Sequence, residues 1–392
     1  MGRGRLRSLA ALAFALILAS CGKLVPPVTG PVGPPGTALA AGVFHGPPIT
    51  DLRIASDDAA TALVSFRESC PRLMARSDAS RLTSPGDWKL PCEAARTWPA
   101  AEASSFFTRF FELVRVGDGN AFATGYFEPE IAGVRRRQQG FDVPIYPVPP
   151  DLVRAKPGDA PPNPDGSQPL GRYDESGKFV PYYDRAAIED GALMGKGLEI
   201  GWAADPADFF FLQVQGSGRL RAPDGTVMRL GYAGQNGYPY TGIGSVMRQR
   251  GLIGSGPGQI SGSMQSIVQW IRAHPDEGRE LMRQNRSWIF FRENNGDGPV
   301  GALGVPVRGR SSVAVDPKYV PLGAPVWLAL DRPEANGLWV AQDTGGAIKG
   351  ANRFDTFWGA GSEAKAIAGG MSGRGKAWLL LPKGAIERLG RK

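Results

Sequence analysis

Two carboxylates flank a glycine-rich turn near the C-terminal end of this 392-residue chain. Asp343 lies in Gln342-Asp343-Thr344-Gly345-Gly346-Ala347-Ile348-Lys349-Gly350, and Asp355 in Phe354-Asp355-Thr356-Phe357-Trp358. A pair of carboxyl groups suggests a conventional pairing of general acid and general base. The two are not equivalent. Phe354, Phe357 and Trp358 around Asp355 penalise its charged form, which raises its pKa and makes a general acid usable near neutrality. A third aspartate, Asp316, stands in Val313-Ala314-Val315-Asp316-Pro317. An Asp before Pro commonly shapes a turn or caps a neighbour, so a structural role weighs more heavily there than a chemical one.

These residues need strands to hold them. Leu338, Trp339, Val340 and Ala341 lead into Asp343, which places that acid where a buried strand ends and the chain turns. Val313 to Val315, Val326 to Leu330 and Trp378 to Leu381 are further short strands, separated by Gly/Pro turns. That texture predicts a β-barrel rather than a parallel α/β sheet. Upstream, Asp57 or Ser56 can cap a helix bearing Leu63, Phe66 and Cys70, and Phe106, Phe107, Phe110, Phe111 and Val114 recur at helical spacing as core. Between about Glu130 and Trp288 the chain is rich in Pro, Gly and Asp, and reads as an inserted β-rich domain. Its strand candidates are Phe209 to Val214 and Val227 to Tyr232, joined through the Asp224-Gly225 hairpin signal. One helix interrupts it, capped by Ser263 and carrying Met264, Ile267, Val268 and Ile271 on one face.

Composition narrows the function classes. Arg3, Arg5 and Arg7, the apolar run Leu9 to Leu18 and Leu18-Ala19-Ser20-Cys21 form a signal peptide, residues 1–20. The last four resemble a lipoprotein box, which implies a lipid-modified Cys21 as the first mature residue, with attachment by acyl chains alone. Residues 21–48, dense in Pro and Gly, are a tether. Gly22 and Lys23, with no Asp beside the cysteine, resemble an outer-membrane sorting signal and put the protein on the periplasmic face of that membrane. Loss of the leader's three arginines leaves 42 basic against 37 acidic residues. That modest excess suits an anionic polymer, and no basic-aromatic stripe supports nucleic acid. Cys70 and Cys92 remain, and an oxidising compartment permits them to pair. With only His45 and His274 present, a Ser-His-Asp triad or histidine zinc site would rest on His274 alone, which a helix end before Pro275 explains better. No cofactor or metal is expected. Gly359-Ala360-Gly361-Ser362-Glu363-Ala364 and Gly216-Ser217-Gly218-Arg219 lack the context of nucleotide-binding loops and read as turns.

Several motifs in order carry a resemblance. Asp316-Pro317 with Pro321-Leu322-Gly323, the Asp343 to Gly350 run and Arg353-Phe354-Asp355 resemble the three-aspartate domain of the membrane-bound lytic murein transglycosylase A family. Thr124-Gly125-Tyr126-Phe127-Glu128-Pro129, Phe211-Leu212-Gln213-Val214-Gln215-Gly216-Ser217-Gly218 and Gly231-Tyr232-Ala233-Gly234-Gln235-Asn236-Gly237 look like that family too. The resemblance implies a double-psi β-barrel (49–129 with N-terminal helices, and 289–392), the insert 130–288, and a glycan groove between them. It implies cleavage of the β-1,4 bond between N-acetylmuramic acid and N-acetylglucosamine without water, giving 1,6-anhydromuramyl ends, with Asp355 as the acid. The nucleophile, the C6 hydroxyl, is tethered in the sugar, so one recycled proton suffices. Asp343 and Asp316 either orient Asp355's surroundings or stabilise positive charge on the sugar. For the groove, Tyr126, Phe357 and Trp358 offer ring faces and Gln213, Gln215, Gln235 and Asn236 offer amides, each of which can instead serve turn geometry. Glu128 is a second groove carboxylate or a strand-end solvent contact. Hydrolysis with Asp343 activating water, and a wall-binding lipoprotein without catalysis, stay open beside this reading. The expected partners are peptidoglycan strands and cell-wall synthesis complexes, with the chain a monomer.

Overall fold

The computed structural model describes residues 36–390 apart from Asp165 and Asp297. The leader, Cys21 and most of the tether lie outside these residues. In chain order the first part holds α1 (Ala38–Ala41), β1 (Val43–His45), α2 (Ser56–Leu73), α3 (Lys89–Ala95), α4 (Ala103–Phe110), β2 (Phe111–Val116) and β3 (Asn120–Glu128). The middle holds β4 (Glu130–Val134), β5 (Val143–Ile145), β6 (Val153–Arg154), β7 (Leu170–Tyr173), β8 (Phe179–Pro181), α5 (Arg185–Glu189), β9 (Gly201–Ala203), α6 (Pro206–Gln215), β10 (Gly218–Arg221), β11 (Val227–Gln235), α7 (Ile243–Gln249), α8 (Met264–Ala273), α9 (Pro275–Arg283) and β12 (Ile289–Glu293). The last part holds β13 (Ser312–Ala314), β14 (Pro325–Leu330), β15 (Gly337–Asp343), β16 (Arg353–Ala360), α10 (Gly361–Gly370), β17 (Ser372–Pro382) and α11 (Ala385–Leu389).

The architecture is mixed and mostly sheet. Strands from the two chain ends share one eight-stranded sheet, ordered β1-β2-β17-β14-β15-β13-β16-β3, and β17 also pairs with β3. The middle segment builds a six-stranded sheet, β12-β11-β10-β4-β9-β5, and a small one, β6-β7-β8. Side-chain alternation divides the main sheet's surfaces. One face, with Val313, Val315, Val326, Leu328, Trp339, Ala341, Phe354 and Trp358, forms a single apolar core. Part of the other face, with Ala324, Leu338, Val340 and Leu380, packs against Phe66 of α2 and its aromatic neighbours Trp88, Phe106 and Phe111.

Local expectations fail where burial hides the period. Phe209 to Val214 is helix, not strand: Asp205 accepts from Asp208 N–H, Pro206 opens α6, and Gly216 closes it in the left-handed region. Because Phe209 and Leu212 pack in one core cluster and Phe210 in another, the helix is apolar on several faces and loses its amphipathic signature. The hairpin at Asp224-Gly225 is real, but it joins β10 to β11. Phe111 and Val114 leave the helical series for β2, and the segment 130–288 holds α5 to α9 rather than one helix. Ser56 is the first helical residue of α2, with Ala55 at the cap. Ser263 caps α8 as expected.

Cys70 on α2 and Cys92 on α3 form a disulfide, with Cα atoms 5.5 Å apart and a separation of 22 positions in sequence. Closing a loop of that length restricts the unfolded chain by about 3 kcal/mol. Replacing both cysteines with alanine should therefore lower the unfolding midpoint in denaturant, as should reductant on the native protein; equal midpoints would show the bridge to be energetically idle.

Candidate active site

The two flanking carboxylates meet across one short strand. Ala314 of β13 is opposite Asp355 of β16 on one side and Asp343 of β15 on the other. The second pairing depends on a bulge: Val313 faces Ala341, yet Ala314 faces Asp343, so Gln342 is the extra residue. Without it, Asp343 would continue the Trp339 and Ala341 series into the core. Gln342 is fully buried, donating to Ser65 O at 2.9 Å and Ser69 Oγ at 3.0 Å and accepting from Ser312 Oγ at 2.5 Å. Those bonds to α2 and β13 hold the bulge in place.

The row extends over the neighbouring strands. Asp355 is opposite Thr124 of β3, and Thr124 is opposite Ser372 of β17. Thr124 Oγ1 donates to Asp355 Oδ1 at 2.6 Å, while Arg353 Nη2 donates to Thr124 Oγ1 at 2.9 Å. Asp343 is held by three donors: Ala302 N–H at 2.8 Å, Thr344 N–H at 2.9 Å and the Tyr126 hydroxyl at 3.0 Å. Beneath the carboxylates, Tyr126 and Phe357 pack with centroids 4.9 Å apart, in a small apolar cluster with Val307, Ala314 and Ile348. Tyr240, from the middle segment, comes up against the glycine-rich turn: a Cβ on Gly346 would lie 3.2 Å from the Tyr240 Cβ.

Enclosure sets the proton affinities. Burial pushes the Asp355 carboxyl up to about 6, opposed by the Thr124 hydrogen bond and the Arg353 charge and reinforced by Asp343. Asp343 is also raised by burial, against the lowering effect of its three donors. The Tyr126 phenol goes well above its ordinary value through burial and the two aspartates. Burial and Asp355 likewise raise Tyr240. Both aspartates keep some solvent exposure, so they are surrounded by protein yet open to a ligand. Among the described residues, no group of three or more His, Cys, Asp or Glu is placed to hold a metal ion.

Residues 122–292 match the MltA specific insert domain and residues 311–381 the 3D domain. A membrane-bound lytic murein transglycosylase from Agrobacterium tumefaciens superposes with a TM-score of 0.77 at 32% identity, covering 88% of this chain and 99% of that one. The chain belongs to the membrane-bound lytic murein transglycosylase A family. Membrane-bound lytic murein transglycosylase A of Escherichia coli is 35% identical over 273 residues, 67% of this chain and 66% of that protein. A structure of Escherichia coli MltA with bound chitohexaose superposes with a TM-score of 0.58 at 30% identity, covering 86% of this chain and 92% of that one.

The remaining residues expected in a groove divide by what they already hold. Trp358 is not a ring platform: it points into the core, 5% exposed, with Nε1 donating to Thr356 Oγ1 at 2.9 Å and its ring edge-on to Trp339. Alternation along β16 puts Phe354 and Trp358 opposite Asp355, so of the three aromatics only Phe357 shares its face, and it is buried. Gln213 is buried, accepting from Arg185 at 2.7 Å and donating to Ile289 O at 3.1 Å. Asn236 binds Tyr183 O, Arg286 O and Trp288 N–H. Gln235 accepts from Gly237 N–H at 2.6 Å, the turn role, and Gln215 accepts from Phe127 N–H at 3.0 Å, tying α6 to β3. Glu128 is neither free nor solvated. It is 5% exposed, with Oε2 3.4 Å from Arg219 Nε, and burial raises its pKa. Asp316 accepts from Lys318 N–H at 3.1 Å and Gly350 N–H at 2.8 Å, so it braces the far end of the loop that begins at Asp343. His274 stacks on Trp270 and bonds its carbonyl.

Thr124, Arg353, Tyr240 and the Ala302 N–H were missed as site components. Thr124 and Tyr126 are two apart on a strand, the spacing that puts both on one face, and this was the available signal. The Asp355 carboxyl, followed by carbon-13 NMR, should titrate with a midpoint near 6, and Arg353→Gln should move the midpoint higher because a charge favouring the carboxylate is lost. A native midpoint near 4 would contradict the enclosure described here.

Proposed function

We propose that the protein is a peptidoglycan lytic transglycosylase, cleaving the β-1,4 bond between N-acetylmuramic acid and N-acetylglucosamine and leaving 1,6-anhydromuramyl ends. The observation that carries this reading is the inequality of the two carboxylates. Asp355 has one hydroxyl donor and a proton affinity raised to about 6, which suits a group that gives and retakes one proton. Asp343 has three donors on its two oxygens, which suits a fixed negative charge better than a base that must turn toward water. The chitohexaose bound by the Escherichia coli relative supports a glycan as the ligand.

In this mechanism Asp355 passes its proton to the glycosidic oxygen as the bond from that oxygen to the anomeric carbon breaks. The N-acetylglucosamine side departs as an alcohol. Positive charge on the muramyl ring faces Asp343, and the C6 hydroxyl oxygen of the same ring bonds to the anomeric carbon. Its proton returns to the Asp355 carboxylate, so the acid is regenerated and no water is consumed. Asp316 acts at one remove, by holding the loop.

The same reading extends to the architecture and location. β17, β14, β15, β13, β16 and β3 form the ring of a double-psi barrel in a catalytic unit of residues 49–129 and 289–392, with 130–288 as the substrate-binding insert. Residues 1–20 are a signal peptide, and lipidated Cys21 holds the monomeric enzyme on the periplasmic face of the outer membrane, within reach of cell-wall synthesis complexes.

Mass analysis of sacculi digested by the purified protein should give anhydromuropeptides; reducing ends in their place would overturn the transglycosylase chemistry. Asp355→Asn should lower turnover by about a thousandfold while leaving sacculus binding intact, and retained lysis would remove Asp355 from its role. Because the acid form is the active one, kcat/KM should fall as pH rises through about 6.

A further inference from the structure

One step along the strands from the carboxylate row lies a second row. Arg353 of β16 is opposite Phe122 of β3, and Phe122 is opposite Arg374 of β17. Phe122 precedes Thr124 by two residues, so the new row lies on the face that carries Thr124 and Asp355, about 7 Å away along the strand. The guanidinium of Arg353 sits 4.9 Å from the centre of the Phe122 ring and that of Arg374 4.8 Å from it. One cation approaches from each neighbouring strand.

The two arginines differ in what balances them. Arg353 donates to Thr124 and is attracted to Asp355. Arg374 is exposed, and among the described residues its guanidinium has no hydrogen-bond or ion-pair partner; Asp331 bonds only its backbone, accepting from the N–H and donating to the carbonyl, each at 2.8 Å. The next basic residue along β17, Lys376, is occupied by Asn120 at 2.7 Å and Asp118 O at 3.3 Å. An arginine stays charged at every physiological pH and presents a planar fork suited to carboxylate. Here the ring beneath it limits its freedom, so less entropy is lost on binding.

We infer that the Arg374–Phe122 pair is a binding site for carboxylates of the peptide stem on the muramyl residue being cleaved. This rests on the peptidoglycan reading above. The residue that reacts at Asp355 carries its peptide on a lactyl ether, so the stem leaves the glycan within a few ångströms of the acid. A stem directed along β3 away from Tyr126 passes over Phe122 and meets Arg374. The site makes stem-bearing strands better substrates by binding them, without taking part in the chemistry.

The test uses the full chain on soluble peptide-bearing glycan strands, and on the same strands with their carboxylates capped as methylamides by carbodiimide coupling. For the native protein, capping should raise KM about fivefold, the size of one exposed ion pair, with little change in kcat. Arg374→Gln should show the raised KM on uncapped strands and no further rise on capping, and Arg374→Lys should recover part of the difference. Equal effects of capping on native protein and Arg374→Gln would overturn the inference, as would a loss confined to kcat. Native protein that fails to cleave either strand would instead remove the enzymatic reading on which the inference stands.

Discussion

The arrangement of the site depends on the bulge at Gln342. A regular β15 would send Asp343 into the apolar core, where an isolated carboxylate is heavily penalised. The extra residue lets two consecutive side chains serve the outer face: Gln342 toward α2 and Asp343 toward Ala314. Every side-chain hydrogen bond of Gln342 is made with Ser65, Ser69 or Ser312. The N-terminal helix α2 is thus an indirect part of the site, since it pins the register that brings the acids to one face.

Around that register the strand spacing does the positioning. Ser372, Thr124, Asp355, Ala314 and Asp343 lie side by side across five strands drawn from both ends of the chain. Glycine permits the neighbours this row needs. A Cβ on Gly125, between Thr124 and Tyr126, would lie 2.9 Å from Trp358 Nε1 and from Met371 Cβ, so a larger residue would push β3 from the core and carry Thr124 away from Asp355.

The meeting of the two carboxylates was legible in the sequence to the extent that local pattern reports strand ends and turns. Asp343 at the end of an apolar run and Asp355 beside a glycine-rich turn do lie together, and the late strands occupy their expected places. The aromatic argument for Asp355 was right in direction but incomplete in cause. Adjacency along the chain suggested three rings, whereas alternation leaves Phe357 on its face and recruits Tyr126 from a strand more than two hundred residues earlier. Strand neighbours such as Thr124 and tertiary neighbours such as Tyr240 leave no mark near the motif they serve. The amides of Gln213 and Asn236 misled for a related reason: buried polar groups must find partners, and here those partners are the protein's own backbone and Arg185 rather than a ligand. The helix at Phe209 was hidden because a helix buried on several faces has no polar stripe to show its period.

The close approach of Tyr240 to Gly346 joins two distant stretches of the chain beside the carboxylates. Tyr240 belongs to the middle segment and Asp355 to the main sheet, and the Asp355 charge raises the Tyr240 phenol across that boundary. The 71 residues matching the 3D domain hold all three aspartates but not Tyr126, Thr124 or Tyr240. Taken alone such a segment would lack the Thr124 and Tyr126 hydroxyls that bond Asp355 and Asp343. The walls around the carboxylates are therefore assembled from distant stretches of one chain, and a movement that parts Tyr240 from Gly346 would open the glycine-rich turn on that side.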